Sequence, residues 1–366
     1  MTKSNEKSLK TMPADEAPFR VIQSERPFAA RRFFLQWEWL LVVLLVAING
    51  INSFLSPYYL DYSNILSAIS IFLDKAVVVF PMMLVILLGD IDISVSSIIA
   101  LSGVSIGLFH NAGLPMGVAI VLGLLVGALC GLVNGLLIVK FKGLSSVIVT
   151  IATMTLYRGI ASILLEDRAV GDFPQWFQFF GWGKIGTLPF ILIFVAIEAL
   201  AFGFLIHKTP LGRRFYATGS NPVAARFSGI VTDKLKILSF TLTGLFSAVA
   251  SVFLLSKMGS ARPSIAQGYE LDIIAMVVLG GVSTAGGKGN VIGVTLSIFI
   301  IGLLRYGLGI VNVPSQTIMI IVGLLLVITV AVPNLKSSLK EMLPQSVGLR
   351  LFKKQPPKIK KGDVKL

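Results

Sequence analysis

Ten apolar stretches follow one another along the chain, each closed by glycine, proline or charged residues. They run from Trp37 to Leu55, Leu66 to Leu88, Val95 to Phe109, Met116 to Val139, Ser145 to Leu165, Thr187 to Ile206, Leu235 to Leu255, Tyr269 to Gly281, Val291 to Leu308 and Thr317 to Val332. Most are long enough to cross a hydrocarbon core of about 30 Å as a helix. The third and eighth are short and interrupted by Gly or Ser. The pattern predicts an all-α polytopic membrane protein with about ten transmembrane helices, some of them short or broken.

Composition agrees. The chain is 55% hydrophobic with a mean hydropathy of +0.85 and only 14% charged residues, whereas a soluble domain carries about 25%. Its net charge of +14 follows the topology. With a cytoplasmic amino terminus and ten helices, 25 of the 32 basic residues fall on the inside. They lie in the two tails, the Lys140/Lys142 turn, the Lys208 to Lys236 loop and the Lys288 loop, as the positive-inside rule requires. Both termini are therefore expected in the cytoplasm, and the charge reads as topology and attraction to anionic lipid rather than nucleic-acid binding. The expected organisation is a basic tail over 1–35, a membrane domain over 36–335 with a cytoplasmic loop over 207–236, and a second basic tail over 336–366. Arg31 and Arg32 in "ARRFFLQW" anchor the first helix in this reading; a cleaved leader would not run on into a polytopic chain. The lone Cys130 excludes an intrachain disulfide.

Chemistry is sparse inside the membrane. Gly123, Gly127, Gly131 and Gly135 form a stripe at a spacing of four, where another backbone can approach closely. The acids near the membrane core are Asp74, Asp90, Asp92, Glu198, Glu270 and Asp272. Asp74 and Lys75 are adjacent and diverge by about 100° on a helix, so they need not pair. Gly89, Asp90, Asp92 and Ser94 lie in "LLGDIDISVSS", where glycine ends one helix and Ser94 can cap the next. This is either a cytoplasm-side turn whose carboxylates favour the helix N-terminus or a break that forms part of a gate. A second break, "VLGGVSTAGGKGNVIG" with Gly280 and Gly281, has the same character, and paired breaks point to a translocation path. It is close to a P-loop but fails twice, with Val282 and Gly289 where glycine and Ser or Thr belong. His110 and His207 have no metal-ligand spacing. No nucleotide, metal or other cofactor site is expected in this chain.

Uphill transport without an engine needs an ion gradient or force from another subunit, and few membrane acids argue against the first. The second needs a docking element. In Lys208 to Lys236, Ser220 or Asn221 can cap a helix that has Pro222 at its first position and runs through Ala224, Ala225 and Arg226 to a stop at Gly229. This short helix is expected to lie across the membrane, small on one side so as to enter a groove.

At these residues the chain resembles a family. "GRRFYATGSNPVAARFSGI", "GDIDISVSS", "TMTLYRGIA" and "LGGVSTAGGKGNVIG" are similar to the permease subunits of ribose/galactose/xylose-type sugar ABC importers, with "LYRGI" and "FYATG" most like rhamnose and autoinducer-2 permeases. The likeness runs from about Leu40 to Val332. It implies a bacterial inner-membrane subunit that pairs with an identical or homologous permease. A cytoplasmic ABC ATPase that uses ATP and Mg would dock on the Pro222 to Gly229 coupling helix, with Arg213, Arg214 and Asn221 beside it. A solute-binding protein would deliver the sugar from outside. The chain departs from the usual pattern at Asp90 and Ser96, which adds a charge and removes a glycine at the first break. Candidate lining groups of the path are Asn134, Thr150, Thr153 and Glu270, each with a competing role in packing or capping. Between the fifth and sixth helices, Glu166 to Lys184 carries three acids and six aromatics, which read as an interfacial belt or as a contact for the binding protein. The alternative function is an ion-coupled secondary transporter of a small solute.

Overall fold

The helix α2 (Tyr62–Leu87) is mostly apolar, broken by Asp74 and Lys75 at its middle, and is buried along most of its length, as expected of a helix surrounded by others. Asp61 caps it, accepting from the Asn64 amide, and the other elements wrap it. The computed structural model describes residues 37–166, 168–325 and 327 of the chain. Both tails, with Arg31 and Arg32, lie outside the described residues, as do Asp167 and the end of the tenth predicted stretch.

Each of the ten predicted stretches contains a helix. Besides α2 these are α1 (Trp37–Leu55), α3 (Val95–Asn111), α4 (Met116–Lys140), α5 (Ser146–Leu165), α7 (Phe190–Lys208), α10 (Thr232–Met258), α11 (Tyr269–Leu279), α12 (Val291–Ile310) and α13 (Ser315–Leu325). Among the described residues, seven are long and apolar enough to cross a membrane; α3 and α13 are shorter apolar helices. The chain is a multi-pass, mostly helical membrane protein. Three shorter helices complete it: α6 (Gln178–Trp182), α8 (Pro210–Ser220) and α9 (Pro222–Phe227). One departure from an all-helical chain is a hairpin in which β1 (Lys184–Ile185) pairs antiparallel with β2 (Leu188–Pro189). Gly186 turns it at φ +64°.

The glycines of α4 face backbone. A Cβ on Gly127 would crowd the Gly244 carbonyl of α10, one on Gly131 the Phe240 carbonyl, and one on Gly135 the Ile237 Cα. Gly123 meets Ile106 of α3 instead. Dispersion between two closely apposed backbones holds α4 on α10, since the apolar effect gives helices in lipid no reason to associate.

Hydrogen bonds gather alternate helix ends at one face. The Gly287 amide donates to the Leu87 carbonyl (2.9 Å), Trp37 Nε1 to the Leu279 carbonyl (2.9 Å) and the Ile91 amide to Ser146 Oγ (3.3 Å). The helix ends and loops collected there carry Lys140, Lys142, Arg213, Arg214, Lys234, Lys236 and Lys288. This is the basic face. At the opposite face the segment over 168–184 folds over the end of α10, where Ser256 Oγ bonds the Phe177 carbonyl (2.5 Å) and accepts from the Gly181 amide (2.8 Å).

Candidate functional site

The basic face is organised around α8, which sequence reasoning had left inside a loop. Thr209 caps it, its hydroxyl accepting from the Gly212 amide (3.3 Å), and Pro210 occupies the first helical position. Gly212, Phe215, Thr218 and Gly219 form its buried stripe, while Arg213 and Arg214 are exposed. Two groups tie its inner side to the rest of the chain. The Tyr216 hydroxyl donates to the Gly289 carbonyl (2.7 Å), and burial raises its pKa, so it keeps the proton it donates. Gly219 is packed so closely that a Cβ would overlap both the Leu87 carbonyl and the Gly287 amide. The end of α8 therefore sits on both predicted helix breaks at once.

The helix α9 follows directly. Asn221 caps it, its side-chain oxygen accepting from the amides of Val223 (3.1 Å) and Ala224 (3.0 Å), with Pro222 next. Gly229, at φ +80°, ends it. Of its two alanines, Ala225 is buried against the chain itself and Ala224 is exposed. The outward side carries Val223 and Phe227, the latter 90% exposed. Arg226 binds back to α10 through Thr232 Oγ1 (2.8 Å) and Asp233 (3.2 Å). Lys142 also reaches Asp233 (3.6 Å), and one turn further along α10 Lys236 pairs with Asp90 (2.7 Å). These groups line a polar cavity of ≈ 340 Å³ at the first break.

That break is held by side chains. Gly89 turns the chain at φ +82°. Asp92, fully buried, accepts from the Ser94 amide (2.9 Å) and hydroxyl (2.6 Å) through Oδ1, leaving Oδ2 unpartnered. Ser94 stands at the N-cap of α3, but its side chain makes no capping bond because the hydroxyl is turned to Asp92. It accepts from Asn134 Nδ2 (2.8 Å), and Asn134 Oδ1 in turn accepts from the Tyr157 hydroxyl (3.0 Å). Each donor points the same way along this chain, an arrangement in which successive bonds polarise one another. Thr150, also buried, donates to Val147 and reaches the Ile91 carbonyl (3.4 Å), and Thr153 donates to the Thr150 carbonyl. Three of the four candidate lining groups are thus knitted into the packing of α3, α4 and α5.

The second break is held by backbone. Gly280 ends α11, and Gly281, Gly286 and Gly287 all take positive φ. The Ser283 amide bonds the Lys288 carbonyl, the Gly286 amide bonds Ser283, and Gly287 bonds Leu87. Asn290 caps α12, and Lys288 points outward and is exposed.

Glu270 is elsewhere. With Arg158, Thr155, Ser162 and Gln267 it lines a groove of ≈ 420 Å³ between α5 and the start of α11. Arg158 donates to the carbonyls of Pro263 (2.5 Å) and Ile265 (2.8 Å), and Glu270 Oε2 is buried without a partner. The surrounding wall of α5 is apolar and exposed at Ile148, Ile151, Leu156 and Ile163.

Sequence reasoning missed the cations that answer the membrane acids. Asp74 pairs with Lys257 (3.3 Å), not Lys75; Lys75 pairs with Asp272 (2.5 Å), which Arg305 also binds. Residues separated by 33 to 197 positions in sequence meet here, and no local pattern announces them. Glu198 is buried on α7 with neither oxygen bonded.

The family described as "branched-chain amino acid transport system / permease component" matches residues 63–330. This chain belongs to that family. The permease is 36% identical over 300 residues to the autoinducer 2 import system permease protein of Yersinia enterocolitica, covering 80% of this chain and 90% of the relative. It is 37% identical over 290 residues to the ribose import permease protein of Bacillus subtilis, covering 79% and 90%. No solved structure matches it. The permease is a translocation subunit of the sugar ABC-importer type, and the ion-coupled alternative gives way to it.

Proposed function

We propose that the permease carries a monosaccharide or related small polyol, such as rhamnose, a ribose-type sugar or autoinducer-2, across the bacterial inner membrane. Movement is by alternating access driven by a separate cytoplasmic ATPase, where ATP and Mg are consumed. The observation that carries this reading is the seating of α8 on both helix breaks: a push on the outward side of α8 and α9 reaches both breaks through backbone contacts at Gly219, with no slack to absorb it. Phe227 and Val223 form the docking surface, flanked by Arg213 and Arg214.

The rest of the reading follows from it. The polar groove at Arg158 and Glu270 lies on a wall that otherwise suits lipid, and an unpaired carboxylate there is costly against hydrocarbon. A second permease, identical or homologous, covers it, and the sugar passes between the two. The ten helices span with both termini cytoplasmic, which puts the basic face inside, and the tails over 1–35 and 336–366 flank the membrane domain. The Glu166 to Lys184 segment faces the solute-binding protein. The amides of Gly286 and Gly287 are occupied by Ser283 and Leu87, which supports a chain with no nucleotide site of its own.

Reconstitution with the ATPase and a sugar-loaded binding protein tests this. Uptake is expected to require ATP, and Phe227→Asp to abolish both uptake and ATPase co-purification while the permease stays in the membrane. Uptake that survives ATP depletion but collapses with an ionophore would overturn the proposal.

A further inference from the structure

Near the opposite face, α2, α10, α11 and α12 bring five charges together. Lys257 is fully engaged: besides Asp74 it donates to the carbonyls of Ser70 (2.6 Å) and Ile71 (3.3 Å). The Tyr269 hydroxyl donates to the same Asp74 oxygen (3.3 Å). Asp272 is shared by Lys75 and Arg305. Lys75 Nζ also stands over the Tyr269 ring, 4.3 Å from its centre. Two carboxylates thus face three cations, and because Asp74 is satisfied by Lys257, the uncompensated positive charge belongs to Lys75 and Arg305.

Those two cations line a cavity of ≈ 440 Å³ whose remaining wall includes Ile71, Phe72, Tyr269 and Tyr306. Arg305 Nε and the Tyr306 hydroxyl are buried there without hydrogen-bond partners. Asp61, the acid that acts on Tyr306, is held below the usual carboxylate range by the Ser63 hydroxyl and Asn64 amide and so stays anionic, but it is exposed at the start of α2, where solvent screens its charge. Ile71 at the rim is 57% exposed, so the cavity opens at the side of α2 beside apolar surface.

We infer that this cavity holds the phosphodiester of an anionic phospholipid, with Lys75 and Arg305 on the phosphate and an acyl chain along Ile71 and Phe72. A surplus positive charge in a low-dielectric site is costly when bare and favourable when it meets an anion. The two unpartnered donors lie just behind the cavity wall and meet a phosphate oxygen when their side chains turn toward it. An acyl chain along Ile71 and Phe72 adds apolar burial that free phosphate lacks.

Removing Arg305 makes a clean test, because Asp272 keeps Lys75, Asp74 keeps Lys257, and only the surplus charge is lost. The permease in nanodiscs of mixed phosphatidylglycerol and phosphatidylcholine should retain phosphatidylglycerol, read by native mass spectrometry after detergent extraction, with a preference of roughly fivefold for the surplus charge. Arg305→Gln should abolish the preference and Arg305→Lys should restore it. Tyr306→Phe, which leaves every ion pair intact, should weaken it and serves if Arg305→Gln does not fold. The proposal is overturned if the native chain shows no preference, or if Arg305→Gln keeps it. It is also overturned if inorganic phosphate displaces the lipid at millimolar concentration, or if cross-linking finds a second permease seated over Ile71.

Discussion

The two helix breaks meet at α8 yet are built in opposite ways. The first is fixed by side chains, from Asp92 through Ser94 and Asn134 to Tyr157. The second is fixed within itself by amides, carbonyls and three glycines at positive φ, and side chains from outside, Tyr216 and Trp37, bind only its carbonyls. A break held by side chains has a shape that depends on a few individually replaceable groups, so it can shift as bonds are exchanged. One held by backbone accepts no added atoms and moves as a piece. In an alternating-access cycle the first is suited to be the part that rearranges and the second the part that transmits.

Three substitutions sharpen or break this contrast. Gly219→Val forces carbons into backbone of both breaks, with an overpacking cost of about 1–3 kcal/mol or more. Uptake should be lost while the chain remains in the membrane, as read by immunoblot; near-normal uptake would mean the contact transmits nothing. Asn134→Leu acts on the first break alone: it removes the link between Ser94 and Tyr157 at a cost of about 0.5–1.5 kcal/mol per lost bond, while Ser94 keeps Asp92 and Tyr157 keeps the Cys130 carbonyl (3.1 Å). It should lower the melting temperature and reduce uptake, but less than Gly219→Val. A neutral outcome would remove the distinction between the breaks. Lys288→Ala should do least, since an exposed cation near phosphates is worth about 1 kcal/mol. If instead it abolished transport, the second break would work through a side chain and the contrast would dissolve.

Much of the fold was legible because membrane helices are long, local and apolar: the stretch from Met116 to Val139 needed no partner to be recognised. Asn221 and Pro222 were equally readable, because a cap is a bond between near neighbours. The helix α8 was not, since Arg213 and Arg214 on its outer side and Gly212 and Gly219 on its inner side disguise an amphipathic stripe as a loop. Nor was the side of α9 that faces out, because the inward position of Ala225 depends on where α10 begins. Ser94 shows the same limit at the site. A serine before a helix predicts a cap, but Asp92 two residues earlier is a stronger acceptor for its hydroxyl. The ion pairs of Asp74 and Asp272 depend on four helices packing together: helix geometry argued that Asp74 need not pair with Lys75, but nothing local named Lys257 or Arg305.

The helix α8 has 11 residues, which at about 1.5 Å each makes a rod roughly 16 Å long. Tilted by roughly 10°, such a rod carries its far end about 3 Å. Van der Waals contacts tolerate a few tenths of an ångström, so the glycine at its tip could not follow that arc and remain where it is. Small rotations at the basic surface would thus be read by the breaks as all-or-none steps, much as a pawl either holds a ratchet tooth or slips to the next.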